Sequence, residues 1–120
     1  MKKKFLFNEK IKLYNKKVGK NSSIYCIAEI GVNHCNNMRL AKKMVIAAKR
    51  AGADAVKFQT FSAEKLVTPK TPKVKYQISN TSKKESHFDM IKSLELSQKK
   101  HIELFQFCKK KNINFISTPY

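Results

Sequence analysis

Three short apolar segments alternate with stretches of helical spacing, and this alternation leaves the chain few folds to choose from. IYCIA (residues 24–28), DAVKFQ (54–59) and INFIST (113–118) have strand length and are rich in apolar and β-branched residues. A short apolar run of this kind suits a strand covered on both faces. After the first run, Asn36 or Asn37 can cap a helix. Leu40, Met44, Ala47, Ala48 and Ala51 then fall on one face, and Gly52 stands where a left-handed C-terminal stop belongs. After the second run, the pattern predicts a short helix over 86–94. It predicts another capped by Ser97, with Ile102, Phe105 and Cys108 as its stripe and an end near Asn112. Strand, helix, strand, helix, strand is the order of parallel sheets with crossover helices, so the expected fold class is α/β. Residues 1–22 read as a separate N-terminal hairpin or extension, with a turn around Asn15-Lys16-Lys17. Residues 59–84 form a polar connection with Pro69 and Pro72, long enough to suggest function. The third strand has no helix after it, so the expectation is the front of a larger α/β fold.

Charge tests the obvious alternative. The net charge of +18 suits nucleic acid, but all except two of the 26 basic residues are lysines, the exceptions being Arg39 and Arg50. They are spread along the chain, whereas nucleic-acid readers favour the planar fork of arginine. An anionic small substrate fits the same positive field. A basic binding module without catalysis stays open as the alternative class. Cys26, Cys35 and Cys108 are odd in number and make no C-x-x-C, so neither a disulfide framework nor a zinc ribbon is indicated. A reducing cytoplasm is the simple reading. No stretch approaches the ~20 apolar residues of a membrane span. MKKKFLF begins like a signal peptide, but Asn8, Glu9 and Lys10 interrupt it at once.

The chemistry collects at the strand ends. In parallel α/β folds ligands bind at the C-terminal ends of the strands. The first strand ends at Glu29, the second with Lys57 and Gln59, the third with Ser117 and Thr118. Lys57 and Gln59 are two apart and share a face, while Val56 and Phe58 take the other. A lysine facing inward is costly unless it meets an anion. Glu29 as a buried partner of Lys57, Lys57 as a snorkelling surface residue, and Lys57 as a Schiff-base nucleophile all stay open at this point. His34 follows the first strand in a loop where a ligand could reach it, a solvated loop histidine being the commoner case, and His87 and His101 read as helix-surface residues. Their spacing matches no metal site. There is neither a glycine-rich phosphate loop nor a nucleophile elbow.

Four stretches, IAEIGVNH, LAKKMVIAAKRAGADAVKFQTFSAEKLVTP, KSLELS and FISTPY, resemble in this order the N-terminal part of the sialic acid synthase family. That group includes the N-acetylneuraminate, legionaminate and pseudaminate synthases and a spore-coat relative. The resemblance runs from about Ile11 to Tyr120. It implies a TIM (β/α)8 barrel followed by a small antifreeze-like domain, working as a domain-swapped homodimer. Residues 23–120 would then be the first three βα units, an incomplete barrel expected to be inactive alone. The implied reaction joins phosphoenolpyruvate to the open-chain aldehyde of an N-acetylated hexosamine, N-acetylmannosamine or a related diacetamido sugar. A divalent Mn2+ or Mg2+ ion polarises the aldehyde. By position, Glu29 looks like the carboxylate near the metal-bound water and the sugar. Lys57 and Thr118 look like phosphoenolpyruvate contacts, and Gln59 and Asn80 like sugar contacts. The family's metal-binding histidines, later phosphate ligands and swapped domain lie beyond residue 120. One local departure stands out: the usual Asn-His-Asn-Gly is here Asn33-His34-Cys35-Asn36, without the glycine.

Overall fold

The computed structural model describes residues 9–68, 70–73, 77 and 85–120. It opens with an antiparallel hairpin of β1 (Lys10–Leu13) and β2 (Lys16–Gly19). The turn is Tyr14–Asn15, with Tyr14 at φ 51°, so Lys16 and Lys17 belong to β2 and not to the turn. Gly19 has no substitute, because a Cβ there would lie 2.0 Å from the Glu9 carbonyl oxygen. Tyr14 donates its hydroxyl to the Phe115 carbonyl at 2.9 Å, and Lys16 bonds Asp54 at 2.8 Å. The hairpin is thereby tied to the main sheet.

That sheet is parallel, in the order β3 (Ile27–Gly31), β4 (Ala55–Thr60), β5 (Asn114–Pro119). The first strand begins later than its apolar run suggests. Ile24 is 81% exposed, and Asp54 rather than a ladder holds this entry. Its carboxylate accepts the Cys26 N–H at 2.8 Å. Nor is β3 covered on both faces, since Ile27 is 48% exposed, and the strand lies at an edge of the sheet among the described residues. The strand runs on past Glu29 to Gly31, with its register slipping between those two residues. At the far edge, Pro119 does not end the pairing, since the Tyr120 N–H still donates to the Thr60 carbonyl at 3.0 Å.

Helix α1 (Met38–Arg50) starts at Asn37, whose side chain accepts the Leu40 N–H. Gly52, at φ +85°, follows its end. Its buried stripe is Ala41 and Val45, flanked by Met38, Met44 and Ala48. Leu40, Ala47 and Ala51, assigned inward by periodicity, face outward. Two adjacent faces of α1 are apolar enough to pack, and contact with β3 and β4 selects one of them. The 59–84 connection is not bare loop. It contains α2 (Ala63–Leu66), and the rest of it lies largely outside the described residues. Helix α3 (His87–Leu94) is capped by Ser86, and α4 (Gln98–Lys110) by Ser97. In α4 the buried residues are Leu104 and Cys108, with Phe107 packed beside them, while Ile102 and Phe105 are half exposed.

Helices α1 and α4 lie against one face of the sheet, where Ile30, Val56, Phe58, Leu104 and Cys108 form the core. Alternation sends Lys57 and Gln59 to the opposite face, which these helices leave open.

Candidate functional site

The register of the sheet assembles the site. Glu29 pairs across to Lys57, and Gln59 across to Thr118. Three separate sequence segments thus meet on one open face. The Lys57 ammonium lies 2.7 Å from Glu29 Oε2 and donates to Thr118 Oγ1 at 3.2 Å. The other carboxylate oxygen, Oε1, accepts the Gly31 N–H at 3.1 Å. Gly31 is left-handed at φ +55°, and a Cβ there would sit 3.7 Å from both Glu29 Oε1 and Gln59 Nε2. The Gln59 amide therefore borders the same spot as the carboxylate. Glu29 is the partner of Lys57, yet the pair is not buried: the two side chains are 50% and 31% exposed. Glu29 raises the Lys57 pKa, chiefly by hydrogen bonding, and desolvation opposes this. An ammonium has three donors. Two are engaged here, and one remains for an anion arriving from solvent.

The loop after β3 departs from the sequence reading. His34 is fully buried, not solvated. The loop folds back through Asn33 N–H to the Ile30 carbonyl and Cys35 N–H to the Val32 carbonyl. This seats the His34 ring against Phe58, with centroids 5.8 Å apart. Nδ1 accepts the Asn36 N–H at 3.0 Å, which puts the proton of the neutral ring on Nε2. Burial lowers the His34 pKa, and the charges of His101 and Lys100 add to the effect. Cys35 and Asn36 both adopt positive φ, 47° and 57°, so the loop keeps a left-handed bend without glycine. Lys100 holds it from α4, donating to the Asn36 carbonyl and side-chain oxygens. His101, expected on a helix surface, reaches the C-terminal end of β4. Its Nε2 is 3.0 Å from Thr60 Oγ1 and 3.3 Å from the Gln59 carbonyl oxygen. Sequence reasoning missed Gly31, Lys100 and the burial of His34. The Lys100 contact and the burial of His34 depend on long-range packing that local spacing does not carry, whereas the Gly31 contact to Glu29 is local but needs the left-handed backbone at Gly31.

Asn80 lies outside the described residues. Among the described residues no cluster of three or more His, Cys, Asp or Glu could hold a metal ion. The chain's own contribution near the strand ends is one carboxylate, Glu29, already paired with Lys57. These residues alone do not make a divalent-metal site. Among them, too, no helix is long and apolar enough to cross a membrane.

An open parallel sheet with an accessible charged pair at its strand ends places the chain among α/β folds, whose ligands bind at that end of the strands. Comparison with known proteins narrows this further. The chain belongs to the NeuB family, whose profile matches residues 44–120. It is 43% identical over 102 residues to the N,N'-diacetyllegionaminic acid synthase of Legionella pneumophila, covering 85% of this chain and 29% of that protein. The Campylobacter jejuni protein of the same name is 47% identical over 94 residues, covering 78% and 28%. Among solved structures, the N-acetylneuraminic acid (sialic acid) synthetase of Leptospira borgpetersenii, crystallised with citrate, superposes with a TM-score of 0.71 at 31% identity. The match covers 92% of this chain and 34% of that one. The chain thus spans less than a third of the length of these curated relatives.

Proposed function

We propose that this chain is the N-terminal part of a nonulosonic acid synthase, which condenses phosphoenolpyruvate with an N-acylated amino sugar. Residues 23–120 are read as the first three βα units of a TIM barrel, with residues 1–22 as an N-terminal extension. The carrying observation is the partly exposed Lys57 held between Glu29 and Thr118 at the strand ends. Lys57 and the Thr118 hydroxyl bind the phosphoenolpyruvate anion. Gln59, and Asn80 from the connection, contact the sugar. In the reaction C3 of the enol attacks the aldehyde carbon, and the aldehyde oxygen gains a proton. Water then adds at C2, and phosphate leaves by cleavage of its bond to C2. In this reading Glu29, which accepts the Gly31 N–H, holds or moves a proton at the sugar oxygen. The divalent metal implied by the family needs ligands from outside the described residues, and no step is routed through it. The complete enzyme is read as a cytoplasmic homodimer.

The Schiff-base alternative fares worse. A nucleophilic lysine needs a lowered pKa, and Glu29 raises that of Lys57. The test uses the full-length enzyme with phosphoenolpyruvate carrying 18O in its bridging oxygen. Phosphate that retains the label, formed together with a nonulosonic acid, is expected. Unlabelled phosphate, or borohydride trapping of pyruvate on Lys57, would overturn the reading.

A further inference from the structure

Beside Gln59 lies a hollow of ≈ 240 Å³ that Glu29, Lys57 and Thr118 do not line. Its walls come from separate elements: Val32 after β3, Phe61 and Leu66 around α2, Ile91 and Leu94 on α3. Gln59 and Tyr120 share it, and Gln59 is the one amide among the described lining residues. The walls are held in place from outside. The Ala63 N–H donates to Glu95 Oε2 at 3.0 Å, and Lys92 bridges Glu64 at 2.8 Å and Glu95 at 3.0 Å. These contacts clamp α2 against α3. So apolar side chains converge on a fixed opening at the polar end of the sheet.

The chemistry of the walls limits the occupant. A phosphate or carboxylate would lose its hydration and meet no cationic side chain in these walls, and a hydroxyl-bearing sugar face would lose most of its hydrogen bonds. A side-chain amide at the rim both donates and accepts. The ligand group that matches one amide beside apolar walls is itself an amide carrying a short alkyl group. A cavity of about 150 Å³ is enough for benzene, so a methyl to propyl tail fits. We infer that this hollow reads the acylamino substituent of the sugar, with Gln59 pairing to its amide and the alkyl tail entering between Ile91 and Leu94. The inference rests on the proposed synthase reading, and adds which residues select the acyl group.

The experiment compares N-acetyl, N-propanoyl and N-butanoyl forms of one amino sugar with the full-length enzyme. One extra methylene in an apolar pocket changes selectivity by roughly 10-fold or more. Leu94→Ala is expected to raise the butanoyl-to-acetyl ratio of kcat/KM by roughly 10-fold, mainly through KM, and Leu94→Phe to lower it. Ratios within about twofold of the unsubstituted enzyme in both variants would overturn the inference while leaving the synthase reading intact. A second measurement needs no variant: nuclear Overhauser contacts from the bound acetyl methyl to the Ile91 and Leu94 methyls. Their absence in the unsubstituted enzyme overturns the inference equally. If that enzyme turns over no acylamino sugar, the synthase reading fails, and this inference with it.

Discussion

His34 is neutral in the fold because charging it would cost twice. A second ring proton would displace the Asn36 N–H from Nδ1, and the ring sits buried against Phe58 near Lys100 and His101. Its folded pKa therefore lies below its unfolded one. The unfolded chain binds the extra proton first, so stability is level above about pH 6.5 and declines as pH falls below it. Thermal unfolding at pH 7.5 and 5.5 should show the drop, and His34→Gln should flatten it. A His34 ring titrating at or above 6.5 by NMR would contradict this. Lys57 and Glu29 differ in kind, since their exposure makes them poor contributors to stability. Their substitution should appear in turnover. Lys57→Met is expected to lower kcat/KM of the full-length enzyme by about 10²–10³, with the melting temperature nearly unchanged. Equal kcat/KM would remove Lys57 from the site.

At the scale of elements, α1 offers a direct comparison. Val45 is fully buried, and Leu40, the larger residue, faces outward. Val45→Ala removes two buried methyl groups and should cost about 2 kcal/mol, whereas Leu40→Ala should cost about 0.5 kcal/mol. The reverse order in denaturant titrations would mean that α1 packs by the stripe that periodicity suggested. The same helix shows why part of the fold was legible and part was not. Caps are local, so Ser97, Gly52 and one of the pair Asn36 and Asn37 could be read from short windows of sequence, whereas Ser86, placed inside its helix by the pattern, proves to be the cap. So could the alternation that puts Lys57 and Gln59 on one face. Which of two apolar stripes turns inward is decided by the neighbouring strands, and misreading it misplaced Leu40, Ile102 and Phe105. The meeting of Glu29, Lys57 and Thr118 depends on register. Their positions at strand ends could be listed from sequence, but the 2.7 Å pair could not. His34 was misjudged because a loop folding back over Phe58 leaves no periodic trace.

For the whole molecule, the determining feature is a three-stranded sheet in which, among the described residues, β3 and β5 are edge strands and α1 and α4 pack on one face. Ile24 and Ile27 add apolar surface at the β3 edge. A parallel sheet is stable when both faces are covered, and a free edge invites pairing with another chain. Three strands also carry only one side of the proposed site. Purified residues 1–120 should therefore release no phosphate from phosphoenolpyruvate and acylated amino sugar, with or without Mn2+, and should self-associate as concentration rises. Adding a polypeptide that supplies the remaining barrel units should suppress the association and restore phosphate release together, because the same strands close the edges and complete the site. Turnover by residues 1–120 alone, as a monomer in sedimentation, would show that the Glu29–Lys57–Thr118 cluster suffices, and would sink the partial-barrel reading.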